Sequence, residues 1–225
     1  MGFADDKFNL RPIIKILLIT IIAIYVSLNN LNIVTLGSYS YIGNLYLGNY
    51  SIIFSVLCIL FLTNAFNYND GIDGITIFTF FTSSLLIILI SNNAEINLLL
   101  IYINTVLIVI LFFNLSIFRL HKIFLGNTGS LLLGFFYSLL MIYLSRYEEI
   151  NPILIAWTIS YLVYEFLSTN LLRLLTKKSL LQGGNDHMHY ALLFRLNSKI
   201  LTSFILNFLN IIFFSIGFYT LKISS

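Results

Sequence analysis

Residues Asn64–Gly74 read NAFNYNDGIDG and hold three asparagines, two aspartates and two glycines in eleven positions, between two apolar runs. Asp70 and Asp73 stand three apart. On a helix that spacing puts both carboxylates on one face, and in a turn the neighbouring glycines let the backbone come close to a ligand. At the edge of an apolar run an uncompensated carboxylate is costly, so a pair of them there calls for a compensating partner. The plain alternative is a polar interhelical loop, where Asn, Asp and Gly are common.

Three further clusters carry polar chemistry. Asp5 and Asp6 are adjacent in GFADDKFNLRP. Neighbouring carboxylates repel, and a nearby cation or metal relieves the repulsion, unless the stretch is only a solvated terminus. Phe124–Ser130 reads FLGNTGS, with Gly126 and Gly129 freeing the backbone at a helix start. Such starts bind phosphate through unpaired N–H groups, while the ordinary alternative is an N-cap by Thr128 or Asn127. The segment GGNDHMHYALL, within Arg173–Lys199, carries His187 and His189 on either side of Met188. They diverge on a helix and share a side on an extended segment, where they suit a phosphate or, less readily, a metal. Glu165 lies inside an apolar run. An ionisable group at that depth is a functional candidate unless it pairs within the bundle, with Tyr161 or Asn170 as candidate partners.

The elements that must position these residues are membrane helices. The chain has 225 residues, 59% of them hydrophobic and only 9% charged, with a mean hydropathy of +0.94. A soluble domain carries more charge. The net charge of +3 is too small and dispersed for nucleic-acid binding. Cys58 is the only cysteine, which excludes an intramolecular disulfide and a Cys/His zinc site and leaves it as a small core hydrophobe. Seven apolar runs stand out: Pro12–Leu28, Tyr50–Phe66, Ile75–Ser91, Leu98–Phe118, Ser130–Leu144, Pro152–Leu172 and Ile200–Leu221. They are continuous rather than alternating. The expected fold is therefore all-α, one polytopic transmembrane bundle of about seven spans over residues 1–225. Asn29–Asn49 reads as an external loop with a small β-hairpin around Leu36–Leu47. Met1–Asn9 is polar, so no secretory signal is expected there.

Basic residues orient the bundle. Lys7, Arg11, Lys15, Arg119, Lys122, Arg173, Lys177, Lys178, Arg195 and Lys199 fall on one side, against Arg146 and Lys222 on the other. The first side is expected to be cytoplasmic. All five aspartates and all three histidines fall on it too, whereas Glu95, Glu148 and Glu149 fall outside. One cytoplasmic-face site assembled from four loops accounts for that segregation.

Taken in order, DD, NAxNxxDGxDG, FLGxxGS and HxH resemble the polyprenyl-phosphate N-acetylhexosamine-1-phosphate transferase family, the WecA/MraY-like group, from Gly2 to about Leu193. The resemblance implies transfer of a sugar 1-phosphate from a UDP-sugar donor to undecaprenyl phosphate, initiating lipid-linked cell-surface polysaccharide synthesis. It implies Mg²⁺, or Mn²⁺ in its place, and a multi-pass protein of the bacterial inner membrane with its active site facing the cytoplasm. The partners are then the donor, the acceptor and the lipid bilayer, with a homodimer left open and nucleic acid excluded. Asp5 and Asp6 resemble the acidic pair that engages or deprotonates the lipid phosphate. Asn64, Asn67, Asp70 and Asp73 match the motif lining the nucleotide site, Asp70 also as a metal ligand. Phe124 matches an aromatic that stacks on uracil, and His187 and His189 match histidines near the phosphates.

Three departures stand beside the match. The family carries about three further spans of roughly 20 residues each ahead of the acidic pair, so the chain is expected to be N-terminally truncated relative to it. Asn127 stands where the family has a metal-binding Asp; an amide oxygen can bind Mg²⁺ but brings no charge. The histidine motif ends in Tyr190, which argues against the peptidoglycan-precursor branch. Two other readings follow from the residues: a non-catalytic member of the fold that binds lipid or nucleotide, motivated by Asn127, and a small transporter, motivated by Glu165.

Overall fold

A computed structural model describes residues 1–41, 43–117, 121–179, 184 and 186–224. Its elements in order are α1 (Gly2–Phe8), α2 (Pro12–Leu28), β1 (Thr35–Tyr39), β2 (Gly43–Tyr46), α3 (Ser51–Asn69), α4 (Ile75–Ile90), α5 (Ala94–Asn114), α6 (Gly126–Tyr147), α7 (Pro152–Trp157), α8 (Ser160–Leu175), α9 (Met188–Leu196) and α10 (Lys199–Ser224). The all-α expectation holds, and the two strands pair antiparallel as a small hairpin. Among the described residues four helices are long and apolar enough to cross a membrane, at Gly48–Asn69, Ala94–Asn114, Gly126–Tyr147 and Lys199–Ile223; Pro12–Leu28 and Ile75–Ile90 are apolar but shorter. Arg119, counted above toward the charge asymmetry, and Phe118 lie outside the described residues.

Local signals explain most helix limits. α2 opens on Pro12, whose ring pre-sets the helical φ and whose missing N–H is not needed at a first turn. Asn93 caps α5 by accepting from the N–H groups of Glu95 and Ile96. This cap moves the fourth helix upstream of the expected Leu98–Phe118. α4 starts from Gly74, which sits at φ +84°, a conformation that favours glycine. The core centres on α3 against α6, where the rings of Phe66, Phe80 and Tyr137 meet at centroid separations of 5.7–6.4 Å. Ser84 on α4 and Asn104 on α5 are hydrogen-bonded at 2.8–3.0 Å, a polar clasp between helices of the kind that membrane bundles use. The outward faces carry exposed Ile21, Leu57, Leu89 and Phe204, as lipid contact requires.

The run Pro152–Leu172 is not one span. It breaks at Thr158–Ile159 into α7 and α8, with Ile159 at φ −129°. Inside a bilayer a broken helix needs substitute partners for the freed backbone groups. Asn210 of α10 supplies them: its Nδ2 donates to the Thr158 carbonyl at 2.7 Å and its Oδ1 accepts from the Tyr161 N–H at 3.0 Å. The Tyr137 and Thr158 hydroxyls also bond, at 2.7 Å. Asn210→Leu is expected to lower stability by about 1–3 kcal/mol, read as a fall in Tm in detergent, because it leaves two buried backbone groups unpaired. An unchanged Tm would show that the break is satisfied by other groups.

Candidate active site

The motif Asn64–Gly74 straddles the end of α3 and the turn into α4. Asn64 and Asn67 lie on the last helical turns, Asp70 is the C-cap, and Asp73 and Gly74 lie in the turn. Asp70 and Asp73 therefore do not share a helix face, and their surroundings differ. Asp73 is gripped by Lys122 at 2.7 Å and Lys199 at 2.6 Å. Burial opposes its ionisation, but the two ammonium groups outweigh burial and hold its carboxyl below the usual range. Among the described residues Asp70 forms no ion pair. Burial first, and then the charges of Asp73 and Asp6, push its carboxyl up to about 6.

Asp5 and Asp6 separate on α1. Asp5 is 2% exposed. It accepts from Lys15 Nζ at 2.8 Å and from the Leu10 N–H at 2.9 Å. Asp6 points the other way, to the start of α6, where it accepts from the N–H groups of Asn127 and Thr128, each at 2.9 Å, and from the Thr128 hydroxyl at 2.5 Å. Partial burial works against its charge, but the Thr128 and Asn127 donors hold its carboxyl below the usual range. The repulsion expected of adjacent carboxylates is thus relieved twice, by a lysine and by a helix start. The cap of α6 comes from Asp6 of another helix rather than from Asn127 or Thr128.

Two cavities meet at this end of the bundle, sharing Asn67, Asp70 and Gly71. One, of about 380 Å³, is walled by Asp6, Asp73, Phe124 and Asn127. The other, of about 340 Å³, is walled by Lys15, Asn64, Tyr68 and His187, with Pro12, Ile16 and Leu131 supplying an apolar flank. Phe124 is exposed at the rim, with Lys122 Nζ 4.5 Å from its ring centroid. Asn67 Oδ1 accepts from the Ser130 hydroxyl at 2.9 Å, tying the motif to α6. A Cβ on Gly71 would run into Tyr190 and His189, so this glycine admits the close approach of α9.

His187 is the extended N-cap residue of α9 and His189 lies in its first turn, which turns both rings to one side, parallel within 7° at a centroid distance of 5.2 Å. Glu165 of α8 faces them: His187 Nδ1 is 3.1 Å from its Oε1, and the Met188 N–H donates to the same oxygen at 3.0 Å. Asn170 instead donates to the Phe166 carbonyl of its own helix. Glu165 thus pairs with the histidine segment and not with Asn170. His187 reaches the cavity wall; His189 is fully buried behind Gly71.

A family model described as glycosyl transferase family 4 matches residues 1–145. The chain belongs to glycosyl transferase family 4. A curated relative from Bacillus subtilis (strain 168), a probable undecaprenyl-phosphate N-acetylglucosaminyl 1-phosphate transferase, is 28% identical over 202 residues, covering 86% of this chain and 54% of the relative. The chain thus spans about half the length of that relative. Within the part matched to glycosyl transferase family 4 lie Asp5, Asp6, Asn64, Asn67, Asp70, Asp73, Phe124 and Asn127; Glu165, His187 and His189 lie beyond it.

The structure adds Lys15, Lys122 and Lys199 to the site. In the sequence each reads as an ordinary positive-inside charge, and only their contacts with Asp5 and Asp73 separate them from Lys177 and Lys178, which line neither cavity. Arg173 was counted in the same way; it holds Asp186 through two hydrogen bonds, at 2.9 and 2.5 Å.

Proposed function

We propose that this family 4 chain transfers an N-acetylhexosamine 1-phosphate from a UDP-sugar to undecaprenyl phosphate at the cytoplasmic face of a bacterial plasma membrane, starting a lipid-linked surface polysaccharide. The observation that carries the reading is Asp70: a carboxylate with no ion pair among the described residues, its carboxyl raised by burial and like charge, at the junction of two cavities of different character. The cavity with Phe124 at its rim suits a nucleotide, whose base has a ring to stack on. The cavity with Lys15 and an apolar flank suits a phosphate at the head of a lipid.

A phosphate oxygen of the acceptor attacks the β-phosphorus of the donor, the bond to the bridging oxygen breaks, and UMP leaves. Positioning and charge neutralisation supply most of the catalysis in such a displacement. Lys15, fixed by Asp5, balances the acceptor phosphate. Asn64 and Asn67 offer amide groups to the phosphates, and His187 closes the wall on that side. Lys122 and Lys199 keep Asp73 ionised and in place. Asp6, Asn67, Asp70 and Asn127 present oxygen donors to one cavity, a set that fits a hard cation such as Mg²⁺ or Mn²⁺. When bound, that cation neutralises the diphosphate.

Membranes containing the full chain, given radiolabelled UDP-GlcNAc, undecaprenyl phosphate and Mg²⁺, are expected to form labelled lipid-linked product and UMP. Asn127→Asp, which restores a charge to the donor set, is expected to lower the Mg²⁺ needed for half-maximal rate roughly tenfold. Absence of product with either form, across UDP-N-acetylhexosamine donors, would favour the second reading that Asn127 supports: a family member that binds lipid or nucleotide without turning it over.

A further inference from the structure

We propose that the end of the bundle opposite Asp70 binds a membrane phospholipid whose headgroup is zwitterionic, of the phosphoethanolamine class. α6 starts at the Asp70 cavity and runs for 22 residues, so its last turn lies about 30 Å from that site. There a polar cavity of about 380 Å³ opens between the hairpin and the loop that joins α6 to α7. Arg146 and Glu149 both line it. Each is exposed, and among the described residues neither forms an ion pair with the other or with a third group. An anion alone would meet the carboxylate of Glu149, and a cation alone the guanidinium of Arg146. A ligand that carries a phosphate and an ammonium a few bonds apart satisfies both.

Glu149 holds its position at a cost. Its φ is +54°, in the left-handed region that glycine enters freely and a larger residue does not. The turn is closed by the backbone, with the Ile150 N–H donating to the Leu144 carbonyl at 3.2 Å, so it does not need the carboxylate. A strained residue on a cavity wall points to a use for its side chain. Across the cavity Gly37 stands at φ +112°, where a Cβ would come within 2.6 Å of Asn151 Nδ2. The hairpin can therefore lie close on the loop and wall the cavity on that side.

A second cavity decides that the phosphate belongs to a lipid. It is apolar, holds about 350 Å³ and shares Pro152 with the first. Neighbouring residues divide between the two: Ile142 and Leu36 line the apolar cavity, Arg146 and Gly37 the polar one. Leu57 on the apolar wall is exposed, as a lipid-facing residue is. Tyr25, Tyr46, Tyr50 and Tyr147, at the ends of α2, β2 and α6 and the start of α3, are all exposed at this end, where tyrosines mark the headgroup level of a bilayer. A charged chamber at headgroup level beside an apolar one fits an amphiphile with an acyl chain. Neither cavity uses a residue of the transfer site, and binding there does not depend on the transfer reaction.

The test is lipid binding by the full chain purified in detergent, read by native mass spectrometry and thermal shift with dioctanoyl lipids. Dioctanoyl phosphatidylethanolamine is expected to bind roughly tenfold more tightly than dioctanoyl phosphatidylglycerol, which lacks the ammonium. Arg146→Gln and Glu149→Gln are each expected to remove that preference. Glu149→Gly relieves the backbone, so it is expected to raise the lipid-free Tm by about 2–4 °C while losing the preference, an outcome that a purely structural carboxylate would not give. Ala156→Phe, which fills the apolar cavity, is expected to weaken the lipid at least about fivefold. Equal binding of the two lipids, or a preference that survives in both Arg146→Gln and Glu149→Gln, would overturn the proposal. Glycerophosphoethanolamine binding as tightly as the dioctanoyl lipid would overturn it too, by assigning the polar cavity to a soluble phosphate ester.

Discussion

Asp70→Asn is expected to lower sugar-phosphate transfer by roughly 10²–10³-fold while leaving the fold intact or firmer. The substitution keeps the shape of the side chain and removes one charge. That charge is the part of the apo structure least at ease: burial, and then Asp73 and Asp6, push the carboxyl up to about 6. A carboxyl with a folded value above its unfolded one stabilises the fold most at low pH and loses that contribution as pH rises through the folded value. The apo wild type is therefore expected to lose Tm relative to Asp70→Asn as pH climbs from about 4 to 6, and the difference to level off above that. Mg²⁺ is expected to reverse the order. A cation bound at Asp70 would stabilise the ionised carboxylate, so above about pH 6 it is expected to raise the Tm of the wild type and not of Asp70→Asn. Thermal shift across pH, with and without Mg²⁺, measures all of this without the reaction. A variant that loses activity and Tm together, or a wild type indifferent to Mg²⁺, would move Asp70 from the cation to the scaffold.

The motif around Asp70 was legible because it breaks the composition of its surroundings. Polar residues crowded between apolar runs need a reason, and their order along the chain brought the acidic pair, the glycine-rich helix start and the histidines into one expected site. The structure does place Asp6, Asp70, Asp73, Phe124, Asn127 and His187 around two joined cavities. What stayed hidden depends on pairing across distance. The break at Thr158 carries no proline or glycine, and the group that makes it tolerable, Asn210, is 52 residues away in sequence. Glu165 was visible as an acid at depth, but its partners His187 and Met188 sit in a loop that reads as cytoplasmic. Lys122 and Lys199 looked like topology signals because charge counting assigns a side and not a contact. The helices themselves were nearly explicit, since hydrocarbon leaves a chain so few ways to satisfy its backbone.

Asp5 and Asp6 test how far adjacency implies a shared role. Asp6→Ala is expected to cost about 1–2 kcal/mol of stability, since it removes the acceptor of three hydrogen bonds at the start of α6, and to lower transfer by roughly 10²-fold. Asp6→Asn separates the two effects. Its amide oxygen still accepts from the α6 N–H groups, so α1 stays docked and Tm falls little, but the charge facing the Asp70 cavity is gone and transfer stays low. Asp5→Asn runs the other way. Asp5 is enclosed and holds Lys15, so its loss leaves a partly buried ammonium without its carboxylate and shows first as a lower Tm. Its effect on rate passes through Lys15, and it is expected to appear as weaker acceptor saturation, a higher KM for undecaprenyl phosphate with kcat less affected. Equal losses of kcat and equal changes in Tm for Asp5→Asn and Asp6→Asn would show that the two carboxylates act as one unit despite pointing apart. The expected split, Tm and KM for Asp5 against kcat for Asp6, would assign the pair one residue that builds the acceptor side and one that faces the reacting phosphates.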